Sequence, residues 1–130
     1  MALVAAGLAG CSKTGGGEAT WTVDGKDQGT SKVQCDTSSG KVTIKFDPNL
    51  KSSVELSDAN PPQVRTVYIF SNNDADTVMW EEGFPGGGPA QATKQGNSYT
   101  ITGTGHSTTG IGYDLKYVPR QFSVKATCPS

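Results

Sequence analysis

Cysteine and histidine are scarce in this chain, with three of the first and one of the second. A zinc site draws on clustered residues of these types, and neither His-Glu-x-x-His nor Cys-x-x-Cys occurs, so no metal site is expected. His106 stands in Gly103-Thr104-Gly105-His106-Ser107, which is not the Gly-x-Ser-x-Gly elbow of a serine hydrolase. It reads as an exposed turn residue. Gly105 to Gly110 has the glycine spacing of a phosphate loop, but Ile111 stands where the lysine is needed. Asn72-Asn73-Asp74-Ala75-Asp76 lacks the glycine and closing glutamate of a calcium loop and reads as a polar turn. With no acid–base pair to name, an enzyme is not expected, and neither is a cofactor.

Other absences set the class. The formal net charge is −1, with no excess of basic residues to hold nucleic acid or an acidic membrane surface. No apolar stretch of about 18 residues occurs, so the chain is not expected to span a bilayer. No Asn-x-Ser/Thr triplet is present; Ser12, Thr14 and Thr20 are O-glycosylation candidates by composition alone. Leucine is rare, whereas Gly, Ser and Thr abound, which favours strands and turns over helices.

The first ten residues carry a different signal. Leu8-Ala9-Gly10-Cys11 closes an apolar run, and Ser12-Lys13-Thr14-Gly15-Gly16-Gly17 follows as a polar tether. An apolar stretch ending in small residues and a cysteine reads as a bacterial lipoprotein signal. Cys11 would take a diacylglyceryl group on sulfur, and cleavage would fall between Gly10 and Cys11. A secretory signal also has a basic leading region, which Met1 to Gly10 lacks, so the signal is read as truncated, with basic residues expected upstream. The competing reading is a buried N-terminal helix with a free thiol. Ten residues before three glycines make a poor helix.

Three cysteines leave an odd one in an exported chain. Acylation of Cys11 accounts for one and leaves Cys35 and Cys128. Val33 and Cys35 share one face of a strand, as do Phe122, Val124, Ala126 and Cys128, so both thiols point to the apolar side. A bridge between them would close a long loop, worth up to about 4–5 kcal/mol in the chain-entropy model. Two buried free thiols are the alternative.

Alternation dominates the remainder. Strands are expected at Thr20–Val23, Ser31–Asp36, Lys41–Asp47, Ser53–Ser57, Val64–Ser71, Gln91–Gln95, Ser98–Gly103, Tyr113–Val118 and Gln121–Cys128. Asp24-Gly25, Ser38-Ser39-Gly40 and Gly96-Asn97 mark tight turns, and Pro119-Arg120 separates the last two strands. Eight or nine short strands at this spacing predict an all-β fold, an antiparallel β-sandwich with one disulfide. The chain divides into a signal over 1–10, a lipidated cysteine and tether over 11–20, and a β-sandwich over 21–130. A nine-residue tether, Ser12 to Thr20, reaches about 16 Å as a coil, which keeps the domain near the membrane.

Val64 to Phe70 has apolar residues on both faces, which predicts burial on both sides. Val78 to Phe84 could cover the second face, ahead of the glycine-rich loop Pro85 to Pro89. The plain reading is a core completed under a long loop. The sharper one is an apolar groove near Tyr68, Phe70, Trp80 and Phe84 for a lipid or peptide.

Several segments together resemble the mycobacterial nineteen-kilodalton lipoprotein antigen family. They are Leu8 to Cys11, Val23-Asp24-Gly25-Lys26-Asp27-Gln28, Leu56 to Val64, Ala92 to Thr104 and Phe122 to Cys128. The resemblance implies an envelope lipoprotein acylated on Cys11, with matching cysteines at 35 and 128. It also implies an exposed antigen whose acylated end is sensed by host Toll-like receptor 2, and adhesion to host cells. The chain departs from the family in the aromatic richness of Tyr68 to Pro89 and in its short tether. The expected protein is extracytoplasmic and held to the cell membrane by its lipid, a monomer serving as surface antigen and interaction module. Its expected partners are the membrane, host receptors or envelope lipids. A carrier of envelope lipid through the aromatic groove is the alternative.

Overall fold

A computed structural model describes residues 17–84, 88–110 and 112–129. Cys11, most of the tether and the start of the glycine-rich loop, residues 85–87, lie outside the described residues. Alternating sequence becomes strand throughout: β1 Glu18–Val23, β2 Lys26–Lys32, β3 Gln34–Ser38, β4 Lys41–Phe46, β5 Ser52–Ser57, β6 Val64–Ile69, β7 Val78–Glu81, β8 Ala90–Gln95, β9 Ser98–Thr109 and β10 Lys116–Thr127. Short 3-10 turns at Asp74–Asp76 and Gly112–Asp114 are the helical pieces. Among the described residues no helix is long and apolar enough to cross a membrane.

All pairings are antiparallel, in the order β2-β1-β10-β9-β7-β6-β5-β4-β3, with β8 on β9. The expected all-β antiparallel fold is the observed one. Its two leaves, β2-β1-β10-β9-β8 and β7-β6-β5-β4-β3, are hydrogen-bonded into one sheet that nearly closes into a barrel. β9 and β7 join them along one side through the pair Met79↔His106. On the other side β2 runs into β3 through the buried Val33. Cys35 and Cys128 are disulfide-bonded with Cα atoms 5.8 Å apart, which staples β3 to the end of β10.

The leaves meet in a filled interior. Ile44, Phe46, Val54 and Leu56 from one leaf and Ile101 and Val124 from the other are fully buried. Trp21 of β1 meets Phe46 of β4 edge-on, 5.0 Å between ring centroids. The large aromatics thus span the two leaves, where their area counts most. Asp24-Gly25 turns β1 into β2 with positive φ at both residues, the geometry that matches strand twist in a two-residue hairpin.

Several boundaries differ from expectation. Strand β1 takes in Glu18, Ala19 and Thr20, which the expected tether had included. The expected strand Ser31–Asp36 is divided at Val33, where the chain passes from one leaf to the other. Lys26 to Thr30, too polar to read as a strand, pairs along β1 as an edge. The expected pair Tyr113–Val118 and Gln121–Cys128 is one strand, β10, running through Pro119. Pairing with β1 begins only at Phe122, so Pro119 lies where the strand has β9 alone as neighbour.

Candidate functional site

Strand β6 was expected to be buried on both faces, and it is not. A bulge opposite Glu55 and Leu56 shifts its register by one residue. Val64 thereby joins Val67 and Ile69 on the core side, and Tyr68 turns outward, 37% exposed. On β7, Val78 points into the core and Met79 outward beside Tyr68. These outward side chains line a cleft of about 410 Å³ where the leaves join, with Thr66, Trp80, Glu81, Phe84, His106, Thr108 and Tyr117.

His106 is the floor of this cleft. It lies within β9, paired with Met79, and is 5% exposed, not the exposed turn residue expected. It points outward from the sheet yet is covered. Phe84 stacks on its ring at 4.6 Å and 24°, and Tyr117 stands edge-on to it at 5.0 Å. Tyr117 also meets Phe84 edge-on at 5.5 Å. Burial holds the imidazole below its ordinary value, so it is biased to the neutral form. Its Nδ1 is buried with no hydrogen-bond partner among the described residues. Such atoms are rare in folded proteins and ask for a reason.

Of the expected groove residues, Tyr68, Trp80 and Phe84 come together. The Trp80 indole N–H donates to the Gly88 carbonyl at 2.8 Å, which orients the ring beside the cleft. Phe70 does not join them. It lies past the end of β6, under the Lys51 ammonium at 4.8 Å, and its backbone N–H donates to the Ser52 hydroxyl. His106 and Tyr117 were missed because they are distant in sequence from the aromatic group, and Met79, beside Trp80, was passed over because it carries no ring.

Two polar constellations brace the ends of the sheet. Arg120 donates from Nε to Ser107 at 3.0 Å, from one terminal nitrogen to Asp24 at 2.9 Å, and from the other to the Ala75 carbonyl at 2.7 Å. The Arg120 guanidinium and the Gln121 backbone N–H hold the Asp24 carboxyl below its usual value. Asp47 is buried, which opposes its charge. Hydrogen bonds from the Ser52 hydroxyl and the Lys51 and Asn49 backbone outweigh that and bring its carboxyl below the usual value. Both groups are saturated by their own chain, as structural braces are. Among the described residues no cluster of three or more His, Cys, Asp or Glu could hold a metal ion.

A family model described as Mycobacterium 19 kDa lipoprotein antigen matches residues 12–128. The chain belongs to this family. It is 39% identical over 112 residues to a protein named lipoprotein LpqH from Mycobacterium avium, covering 83% of this chain and 66% of that protein. It is 36% identical over 110 residues to lipoprotein LpqH from Mycobacterium bovis (strain BCG / Pasteur 1173P2), covering 82% and 66%. A more distant relative is the putative lipoprotein LppO of Mycobacterium tuberculosis (strain CDC 1551 / Oshkosh), 33% identical over 84 residues, covering 64% and 48%. The chain therefore spans about two thirds of the length of the LpqH proteins it matches. In this member of the 19 kDa antigen family, the matched region takes in both bridged cysteines and every cleft residue named above.

Proposed function

We propose that the chain is an extracytoplasmic, lipid-anchored envelope protein whose β domain is a surface antigen and interaction module. Cys11 is the acylated residue and the acylated end an agonist of Toll-like receptor 2. The observation that carries this reading is the assignment of the cysteines. Cys35 and Cys128 are joined to each other, which leaves Cys11, at the end of an apolar run, as the remaining thiol. Two or three acyl chains hold a protein to a bilayer firmly, where one gives only marginal binding. The filled interior of the domain supports an interaction module over a lipid carrier, because acyl chains need an enclosed apolar space.

The test is expression of wild type and Cys11→Ala in a mycobacterial host, followed by detergent phase partitioning and a Toll-like receptor 2 reporter assay. Wild type should enter the detergent phase and activate the receptor, and the variant should do neither. A variant that stays in the membrane fraction overturns the anchor. A variant that leaves the membrane but still activates the reporter overturns the receptor reading alone. A mass increment on the native domain that organic solvent removes would favour the carrier.

A further inference from the structure

The aromatic cleft and Gly17, where the described chain begins, lie at opposite ends of one leaf. Gly17 is packed against Val33, Thr127 and Pro129, and Glu18 pairs with Thr127. Tyr117 is at the other end of the same strand, β10, about 33 Å away at the rise of a β-strand. Residues 11–16 span at most about 21 Å fully extended, so a chain cleaved at Cys11 does not reach the cleft with its own N-terminal segment.

The lining narrows what the cleft's occupant is. Tyr68, Phe84 and Tyr117 supply rings and Met79 a thioether, while Thr66 and Thr108 supply hydroxyls and Glu81 a carboxylate. Neither Lys nor Arg is among the lining residues, so nothing there pairs with a phosphate or a carboxylate. An acidic ligand would be repelled by Glu81, and the threonine hydroxyls beside that carboxylate suit a ligand rich in hydrogen-bond donors. The cleft is small and open; its volume of about 410 Å³ is at the lower end of the range for ligand pockets. That suits one or two compact rings and does not shield the acyl chains of a membrane lipid. The half-exposed Tyr117, at 54%, keeps ring surface in water, where a free domain gains nothing by leaving it.

We propose that this cleft binds a neutral saccharide, one or two pyranose rings of a glycan. The C–H face of a pyranose is apolar and slightly positive and lies against the negative face of an aromatic ring. Its hydroxyls donate to Glu81 and exchange hydrogen bonds with Thr66 and Thr108. The inference deepens the interaction-module reading and rests on it.

The experiment is a titration of the full-length protein in detergent micelles, labelled with ¹³C at the methionine methyls. Met79 lines the cleft, and the second methionine is Met1, so one signal reports the site. Maltose and cellobiose are the probes, with micelles of the same detergent carrying palmitate as the lipid arm. Expected is a saturable shift of the Met79 methyl with a disaccharide and none with palmitate. Tyr117→Ala should weaken that binding roughly tenfold while circular dichroism shows the fold retained. Three results overturn the proposal: no shift with either sugar, a shift with palmitate alone, or a sugar shift unchanged in both Tyr117→Ala and Phe84→Ala. Binding of the same proteins to host cells separates the two readings. Cell binding that survives Tyr117→Ala together with an unchanged sugar shift overturns the cleft and spares the interaction module. Saccharide binding without any cell binding supports the cleft and overturns the module.

Discussion

Met79 of β7 and His106 of β9 face each other as the register pair through which the two leaves of the sheet join. The junction brings a strand from the middle of the chain against one near its end. Everything distinctive about the outer surface follows from it. Tyr68 and Thr66 arrive on β6, Phe84 on the turn after β7, and Tyr117 on β10, around a histidine that none of them approaches in sequence.

The close approach at this junction depends on Gly105. A Cβ there would lie 2.5 Å from the Met79 carbonyl oxygen and 3.0 Å from a Val78 methyl. Gly105→Ala should destabilise the domain by about 1–3 kcal/mol, the range for overpacking a tight site, and part β7 from β9. Urea unfolding monitored by circular dichroism gives the stability, and the Met79 methyl resonance reports the displacement. An unchanged midpoint and resonance would mean that the leaves do not meet as described.

His106 and the two braced aspartates set the pH response. The folded chain holds the His106 imidazole below its ordinary value of 6.5, so the unfolded chain binds this proton more readily. Stability is then full above pH 6.5 and declines as pH falls through the folded value. Asp47 and Asp24, both held below 3.8, add stability that is present above 3.8 and lost on further acidification. His106→Phe keeps the stack against Phe84 and should remove the first decline while leaving the second. Melting temperatures between pH 7 and pH 3 check both steps; a first decline retained in His106→Phe assigns it to another group.

The Cys35–Cys128 bridge closes a separation of 93 residues across the open side of the sheet. Replacing both cysteines by serine should cost up to about 4–5 kcal/mol in the chain-entropy model. Denaturant midpoints with and without reductant measure it. Reductant should lower the wild-type midpoint and leave the double variant where it was.

Arg120 joins β10 to the β1–β2 turn, β9 and the 3-10 turn at Asp74–Asp76, with contacts to Asp24, Ser107 and the Ala75 carbonyl. Arg120→Met retains the apolar stem and removes the guanidinium. A loss of about 2–4 kcal/mol is expected, since Ser107 is fully buried and loses its partner. Hydrogen exchange should rise first at Asp24 and in the 3-10 turn. A loss spread evenly over the sheet would show that Arg120 adds stability without bracing that end.

Periodicity of two made the strands legible, because a half-buried sheet writes its inner face into every second residue. Val42, Ile44 and Phe46 were readable as inward, and the structure buries all three. The turn dipeptides were readable for a local reason, the positive φ that Asp24-Gly25 and Ser39-Gly40 adopt. Less legible were the places where one leaf passes into the other. The polar edge strand β2 buries nothing that sequence could flag, and its passage into β3 at Val33 leaves alternation unbroken. The bulge in β6 inverted the outlook of Tyr68, since a shift of one residue moves every following side chain to the other face. His106 was misread because burial of an outward side chain depends on what covers it, and Phe84 comes from the turn after β7.

By itself, then, the sequence determined an all-β chain with tight hairpins, a lone cysteine behind an apolar run and two cysteines fit to pair. These are local properties, written in residue type and spacing. Tertiary structure alone decided that the leaves would join at Met79 and His106, that Phe70 would leave the aromatic group and Tyr117 enter it, and that the cleft would lie at the far end of β10 from Gly17. Those outcomes depend on register and on contacts between segments far apart in the chain, where no single segment carries the information.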